Sequence, residues 1–201
     1  MSGKSSGTVG MNDKGIENTQ TLLKSYLQNR IKAGDIVVDA TAGRGKDTLF
    51  LAECVGPLGK VYAFDIQEDA IASTRELLTE YQLMDRVALF LESHSEIDKI
   101  VPTGIKAVIF NLGYLPGSNQ QVTTHPETTI QAIEAGVRLL TEKGLIVLTV
   151  YRGHDQGAAE SASLNTYLAG LPKKDFSVLQ GIYLNQGDAS PYWLIIQKNR
   201  G

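Results

Sequence analysis

Two groups of residues in this chain have the types and spacing that chemistry needs. The first is Val37-Val38-Asp39-Ala40-Thr41-Ala42-Gly43-Arg44-Gly45-Lys46-Asp47-Thr48, an apolar run ending in an acid and followed by two glycines one residue apart. Glycine takes positive φ and carries no side chain, so such a turn lets a ligand lie against the backbone. In open α/β sheets, ligands bind at strand carboxyl ends of this kind. A second apolar run, Val61–Phe64, ends in Asp65, 20 residues after Gly45, where a carboxylate can accept two ribose hydroxyls. Gln67 lies two residues on, and Ser93-His94 follows a third run, Val87–Leu91; His94 reads equally as a ligand contact or as a loop histidine. The second group is Asn111 and Tyr114, in Phe110-Asn111-Leu112-Gly113-Tyr114-Leu115-Pro116-Gly117, together with Tyr151-Arg152-Gly153-His154-Asp155. An Asn side chain accepts hydrogen bonds, an aromatic ring stacks on a flat partner, a neutral His takes a proton, and Arg pairs with phosphate. Plainer readings stand beside these: glycines serving chain geometry alone, Tyr114 packed on the core, His154 or Asp155 starting a helix, and Arg152 as a solvated charge.

The elements that must position these residues follow from apolar periodicity. Strands are expected at Ile36–Val38, Val61–Phe64, Val87–Leu91, Ala107–Phe110, Leu145–Val150, Phe176–Leu179 and Tyr192–Ile196. Helical stripes run through Ala70, Thr74, Leu77, Leu78 and Tyr81, through Ile130, Ile133, Val137 and Leu140, and through Leu164, Leu168 and Leu171. Leu22, Tyr26 and Leu27 suggest a leading helix. Thr124 and Glu127 have capping-box spacing with Pro126 in the first turn, and Lys143-Gly144 reads as the end of that helix. Alternation of strand and helix implies a mostly parallel sheet covered on both faces. The last two strands are joined by YLNQGDASP with no helix, so they form a hairpin and one strand runs antiparallel. Seven strands closed by such a hairpin is the arrangement expected of the Rossmann-like class I methyltransferases.

Composition sets the outer limits. The chain has 201 residues, enough for one domain, read as a tail over residues 1–15 and a single domain over 16–201. It is 42% hydrophobic and 20% charged, as soluble globular proteins are, and no run reaches the roughly 18 apolar residues that cross a bilayer. The start, MSGKSSGTVG, lacks the apolar core of a signal peptide, and the one cysteine, Cys54, cannot form an internal disulfide; both suit the cytoplasm. Cys54 lies in an apolar stretch and reads as a buried structural thiol. A net charge of −3 argues against a protein that coats nucleic acid, but leaves room for an RNA substrate held by few contacts. Three histidines and one cysteine offer no metal-ligand spacing.

The glycine turn also bears on which cofactor fits. Asp39 precedes Gly43 by four residues, as in the D-x-x-x-G-x-G pattern of methyltransferases, and Thr48 stands where the third glycine of a dinucleotide fingerprint would be. Asp47 in the first turn of the following helix would repel a pyrophosphate, whereas S-adenosylmethionine carries no phosphate. Asn111 through Tyr114 keeps the outline of the (N/D)-P-P-(Y/F) motif of amine methyltransferases, with Leu112 and Gly113 in place of its prolines.

Taken in order, DATAGRGKDTLFLA, VYAFDIQ, Ser93-His94, FNLGYLPG, ETTIQAIEAGVRLL and YRGHDQG resemble the MnmM-type (YtqB-like) tRNA methyltransferases, long labelled rRNA methylases. The resemblance covers roughly residues 17 to 198. It implies an S-adenosylmethionine-dependent enzyme that methylates the amine of 5-aminomethyl-(2-thio)uridine at the tRNA wobble position. On that resemblance Gly43, Arg44, Gly45, Lys46, Asp65, Gln67, Ser93 and His94 form the cofactor side, to which the reading of the motifs themselves adds Asp39, Asp47 and Asn111. Asn111, Tyr114, Tyr151 and His154 face the acceptor; that His154 takes the proton is a reading of histidine's near-neutral pKa and not of the resemblance. The implied partner is a tRNA anticodon loop, whose bases splay onto aromatic rings, and a homodimer is left open. Arg44 and Lys46 depart from the family's more frequent Asn and His, and Ser190-Pro191 stands for two adjacent prolines. The rivals are an rRNA or small-metabolite amine methyltransferase, a nicotinamide-dependent oxidoreductase, and a non-catalytic RNA-binding protein with a vestigial pocket.

Overall fold

The computed structural model describes residues 19–112, 125–152, 155–187 and 190–200. In chain order the elements are α1 (Thr19–Arg30), β1 (Ile36–Asp39), α2 (Lys46–Val55), β2 (Lys60–Asp65), α3 (Glu68–Glu80), β3 (Val87–Leu91), α4 (Ile97–Ile100), β4 (Ile105–Leu112), α5 (Pro126–Leu139), β5 (Leu140–Val150), α6 (Asp155–Ala169), β6 (Phe176–Gly181) and β7 (Tyr192–Lys198). Short 3-10 turns at Met84–Arg86 and His94–Glu96 precede β3 and α4. The strands form one sheet in the order β3-β2-β1-β4-β5-β7-β6. β1 to β5 pair in parallel, and β7 runs antiparallel to both β5 and β6.

Strand residues alternate between two cores because successive side chains point to opposite faces. Val38, Val108, Phe110, Ile146 and Leu148 pack with Ile133 of α5 and Leu164 of α6. Val37, Ala107, Ile109 and Val147 pack with Leu27 of α1, Leu51 of α2 and Leu78 of α3. Strands buried on both faces read as unbroken apolar runs, as these do. Each large side chain so buried contributes roughly 1.5–3 kcal/mol. The strand order reverses between β1 and β4, and a crevice opens there at the carboxyl ends.

Several local expectations are corrected. In α1 the buried face is Thr19, Leu23 and Leu27, spaced i, i+4, i+8, while Leu22 and Tyr26 are exposed. Tyr81 is likewise exposed, at the carboxyl cap of α3 beyond the Ala70, Thr74, Leu78 stripe. α5 has Pro126 in its first turn, but its N-cap position is His125, without a side-chain cap bond; Thr124 lies outside the described residues. Leu140 belongs to β5 and not to the helix before it. Lys143-Gly144 therefore does not end α5; Lys143 takes a φ of 59° inside β5, where the register jumps from Ile105↔Leu140 to Ala107↔Leu145. Cys54 is half-buried, and burial pushes its thiol up to about 11. Among the described residues no helix is long and apolar enough to cross a membrane.

Candidate active site

The glycine turn is held from three sides. Gly43 and Gly45 take φ of 54° and 78°, and a Cβ on Gly45 would fall 2.9 Å from the Thr74 Cα. Only glycine therefore lets α3 approach the turn this closely. From α3, the Thr74 hydroxyl donates to the Gly43 carbonyl (3.1 Å). From β2, Asp65 Oδ2 accepts the Gly43 N–H (2.8 Å) while Oδ1 accepts the Gln67 N–H (3.0 Å). Burial raises the Asp65 carboxyl above its ordinary value, opposed by backbone donors at Gly43, Gln67 and Ile66. A carboxylate has about four lone-pair sites, so hydrogen-bonding capacity beyond these backbone donors remains. Ile66, next in sequence, is exposed.

Asp39 sits beneath the turn, fully buried. Its Oδ1 accepts the Thr41 N–H (3.1 Å) and its Oδ2 the Thr48 hydroxyl (2.6 Å). Burial, then the nearby charge of Asp47, push the Asp39 carboxyl up to about 7 against those two hydrogen bonds. Asp39 thus acts on the turn through Thr41 and Thr48 and is enclosed by protein. Thr48, in the place of a third glycine, is the buried partner that makes this anchor.

At the end of β4, Asn111 is tied to the same turn. Its backbone N–H donates to Thr41 Oγ1 (2.8 Å), and its Nδ2 donates to Asp47 Oδ2 (2.5 Å). Asp47 Oδ1 is ion-paired with Lys24 of α1 (2.6 Å), whose ammonium also lies over the Phe50 ring at 5.3 Å. Because Lys24 offsets its charge, Asp47 is a weaker argument against a pyrophosphate than its position in the helix suggests. Gln20, Lys24, Asp47, Phe50, Asn111 and Thr149 line one cleft. Tyr151 joins this group from the end of β5, its hydroxyl accepting from Gln20 Nε2 (3.1 Å). Burial chiefly raises the Tyr151 phenol, with a further contribution from Asp47.

His94 is a buried residue. Its ring meets Phe110 edge-on with centroids 5.7 Å apart, and Nε2 has no hydrogen-bond partner. Burial lowers its pKa to about 4, opposed by a hydrogen bond with the Ala40 backbone, so the ring is neutral. The surface-loop reading of His94 is excluded. Ser93 caps the turn that carries it, accepting from the Ser95 N–H and hydroxyl. Arg44 and Lys46 are exposed, and Gln67 is half-buried at the start of α3. Arg152 is half-buried over the Tyr192 ring (4.8 Å) and donates to the Ser190 carbonyl (3.4 Å), so it is neither a free phosphate grip nor a solvated charge. Tyr114 and His154 lie outside the described residues.

The fold therefore joins Asp39, Gly43, Gly45, Asp47, Asp65 and Asn111 in one hydrogen-bonded assembly, with Tyr151 at its edge. Sequence reasoning missed Thr41, Thr74, Ile66, Gln20 and Lys24. Thr41, the polar residue between Ala40 and Ala42, was a readable signal; the two α1 residues were not, because nothing local ties them to positions 47 and 151.

The donor set suits an adenosine ligand without phosphates. Asp65 keeps capacity for a ribose hydroxyl, Ile66 offers an apolar surface, and the turn is closed by a buried threonine in place of a third glycine.

A family described as "Putative rRNA methylase" matches residues 61–197. The chloroplastic tRNA (mnm(5)s(2)U34)-methyltransferase of Arabidopsis thaliana is 42% identical over 166 residues, covering 78% of this chain. The chain spans 61% of that plant protein's length. A Clostridium thermocellum structure described as a "putative rRNA-methylase" is 42% identical with a TM-score of 0.90, covering 92% of this chain and 99% of that one. A Streptococcus mutans "putative methyltransferase", determined in complex with SAH, is 36% identical with a TM-score of 0.83 at the same coverage of both chains.

Proposed function

This chain belongs to the rRNA methylase family, and we propose that it is an S-adenosylmethionine-dependent N-methyltransferase acting on tRNA. The acceptor is the amine of 5-aminomethyl-(2-thio)uridine at the wobble position of the anticodon loop, and the product is the methylaminomethyl base. The observation that carries this reading is Asn111: its main chain and side chain are both tied to the cofactor turn, through Thr41 and Asp47. The name of the Arabidopsis thaliana relative supports the substrate, and the Streptococcus mutans complex supports the cofactor.

Gly43, Arg44, Gly45, Lys46, Asp65, Gln67, Ser93 and His94 hold the cofactor, Asp65 by its ribose. Asp39 and Asp47, whose carboxylates are engaged by neighbouring side chains, support that site through those neighbours. S-adenosylmethionine supplies an electrophilic methyl group on a cationic sulfonium. What remains for the protein is to present a neutral amine in line, and positioning of this kind accounts for much of the rate. With Nδ2 committed to Asp47, Asn111 offers Oδ1 to an amine N–H. His154 takes the proton the nitrogen must lose, and Tyr114 and Tyr151 stack on the base. The site of action is the cytoplasm.

The deciding experiment is methyl transfer from labelled S-adenosylmethionine to total tRNA lacking its final wobble-amine methylation, followed by nucleoside analysis. Label in 5-methylaminomethyl-2-thiouridine is expected. Cofactor binding without label in tRNA would reject this acceptor in favour of rRNA or a metabolite amine.

A further inference from the structure

The same cleft holds an ion pair that a cofactor turn by itself does not need. Lys24 is contributed by α1, a helix outside the strand–turn–helix unit, and it is fixed by both Asp47 and the Phe50 ring. Asp47 has one oxygen on Lys24 and the other on Asn111. A carboxylate only accepts, so it can bind the NH₂ end of the Asn111 amide and repels the oxygen end. The amide orientation is thereby decided, and Oδ1 is the end left for an incoming donor.

This arrangement carries a hazard for an amine acceptor. A bare carboxylate beside it would favour the ammonium form, which has no lone pair and cannot attack. We infer that Lys24 and Asp47 form a positioning pair: Asp47 fixes which end of the Asn111 amide meets the acceptor, and Lys24 cancels the charge that would hold the acceptor amine protonated. The inference rests on the amine-methyltransferase reading above. The other titratable groups coupled to the pair are Asp39 of β1, which is buried and feels Asp47, Tyr151 just beyond β5, which also feels Asp47, and Cys54 of α2, which feels Lys24. Asp65 of β2 acts one step further off, through Asp39. None of these supplies the positive charge that Lys24 does.

The test is the pH dependence of kcat/KM for methyl transfer to wobble-amine tRNA, in the full-length protein, with SAH affinity measured by calorimetry alongside. Lys24→Met leaves the Asp47 charge uncompensated, so the acidic limb moves to higher pH by about one unit. Lys24→Arg, which keeps the pair, stays on the wild-type profile. Asp47→Asn releases the amide and leaves Lys24 unpaired, so kcat falls at least about tenfold while the limb moves to lower pH. Opposite movements of the limb are expected, with SAH affinity in Lys24→Met held within about threefold, whereas a merely structural role would lower turnover and SAH affinity together. An unmoved limb in Lys24→Met, or undiminished kcat in Asp47→Asn, overturns the inference while wild-type transfer upholds the function. Absence of transfer by the wild-type protein takes both down.

Discussion

Two buried titratable groups, His94 and Asp39, face opposite costs, and the protein's response to pH follows from them. His94 titrates near 4 in the native state against 6.5 ordinarily. As pH falls below 6.5 the unfolded chain takes up that proton first, so stability is lost between about 6.5 and 4, by roughly 3 kcal/mol. Asp39 behaves in reverse, its carboxyl lifted from 3.8 to about 7. The native state keeps that proton longer as pH rises, so stability is lost between about 4 and 7, and Asp65, also raised, adds to this slope. The slopes oppose, and the wild-type protein should show a shallow profile across pH 4–7. His94→Gln should leave stability falling toward pH 7, and Asp39→Asn should leave it rising from pH 4. Urea denaturation at each pH checks this, and parallel curves for the two variants would sink the assignment.

At the scale of elements, stability depends on a few close approaches between chain segments distant in sequence. The turn after β1 packs on α3 through Gly45, where alanine would meet both a positive φ and the Thr74 main chain. Gly45→Ala should cost about 2–4 kcal/mol and weaken SAH binding, read by thermal denaturation with and without ligand. Equal stability with intact binding would show that α3 can retreat. At the sheet's far edge, a Cβ on Gly181 would lie 1.9 Å from the Trp193 ring across the β6–β7 pair. Gly181→Ala must displace that ring or part the hairpin. Trp193 is the sole tryptophan, so its emission should shift to the red in the folded variant. Emission identical to wild type would mean that the ring stays in place and the backbone yields.

Across the whole molecule, charge and topology together limit how the proposed tRNA substrate can be held. A net charge of −3 gives no general attraction for phosphates, so the proposed acceptor tRNA would have to be held by a few local contacts and by its splayed bases. With about four phosphates neutralised or fewer, log K for tRNA should fall against log salt with a slope no steeper than about −4. Fluorescence titration over a range of salt measures it; a markedly steeper slope would require a basic surface broader than composition allows. Asp39, Leu112 and Val150 end neighbouring strands β1, β4 and β5, with Asn111 one residue before the end of β4, so Tyr151, just beyond β5, reaches the rim that the cofactor turn occupies.

The sheet, its antiparallel closing strand and the glycine turn were legible in the sequence, because these follow from local rules. Strand periodicity, a hairpin without a helix and a D-x-x-x-G-x-G spacing are readable wherever neighbours in sequence are neighbours in space. Element ends were less legible: Lys143-Gly144 looks like a helix stop, yet pairing of Leu140 with Ile105 draws those residues into β5. What each site residue touches came from the packing of elements distant in sequence. Asp39 reads as a ligand carboxylate, but helix α2 closes over it with Thr48; His94 reads equally as a ligand contact or as a surface-loop histidine, and its packing against Phe110 and Ala40 removes the second reading. Lys24 carried no signal at all, since its partner lies 23 residues away on another helix. Burial and charge pairing are sums over the folded neighbourhood, and no window of sequence contains that neighbourhood.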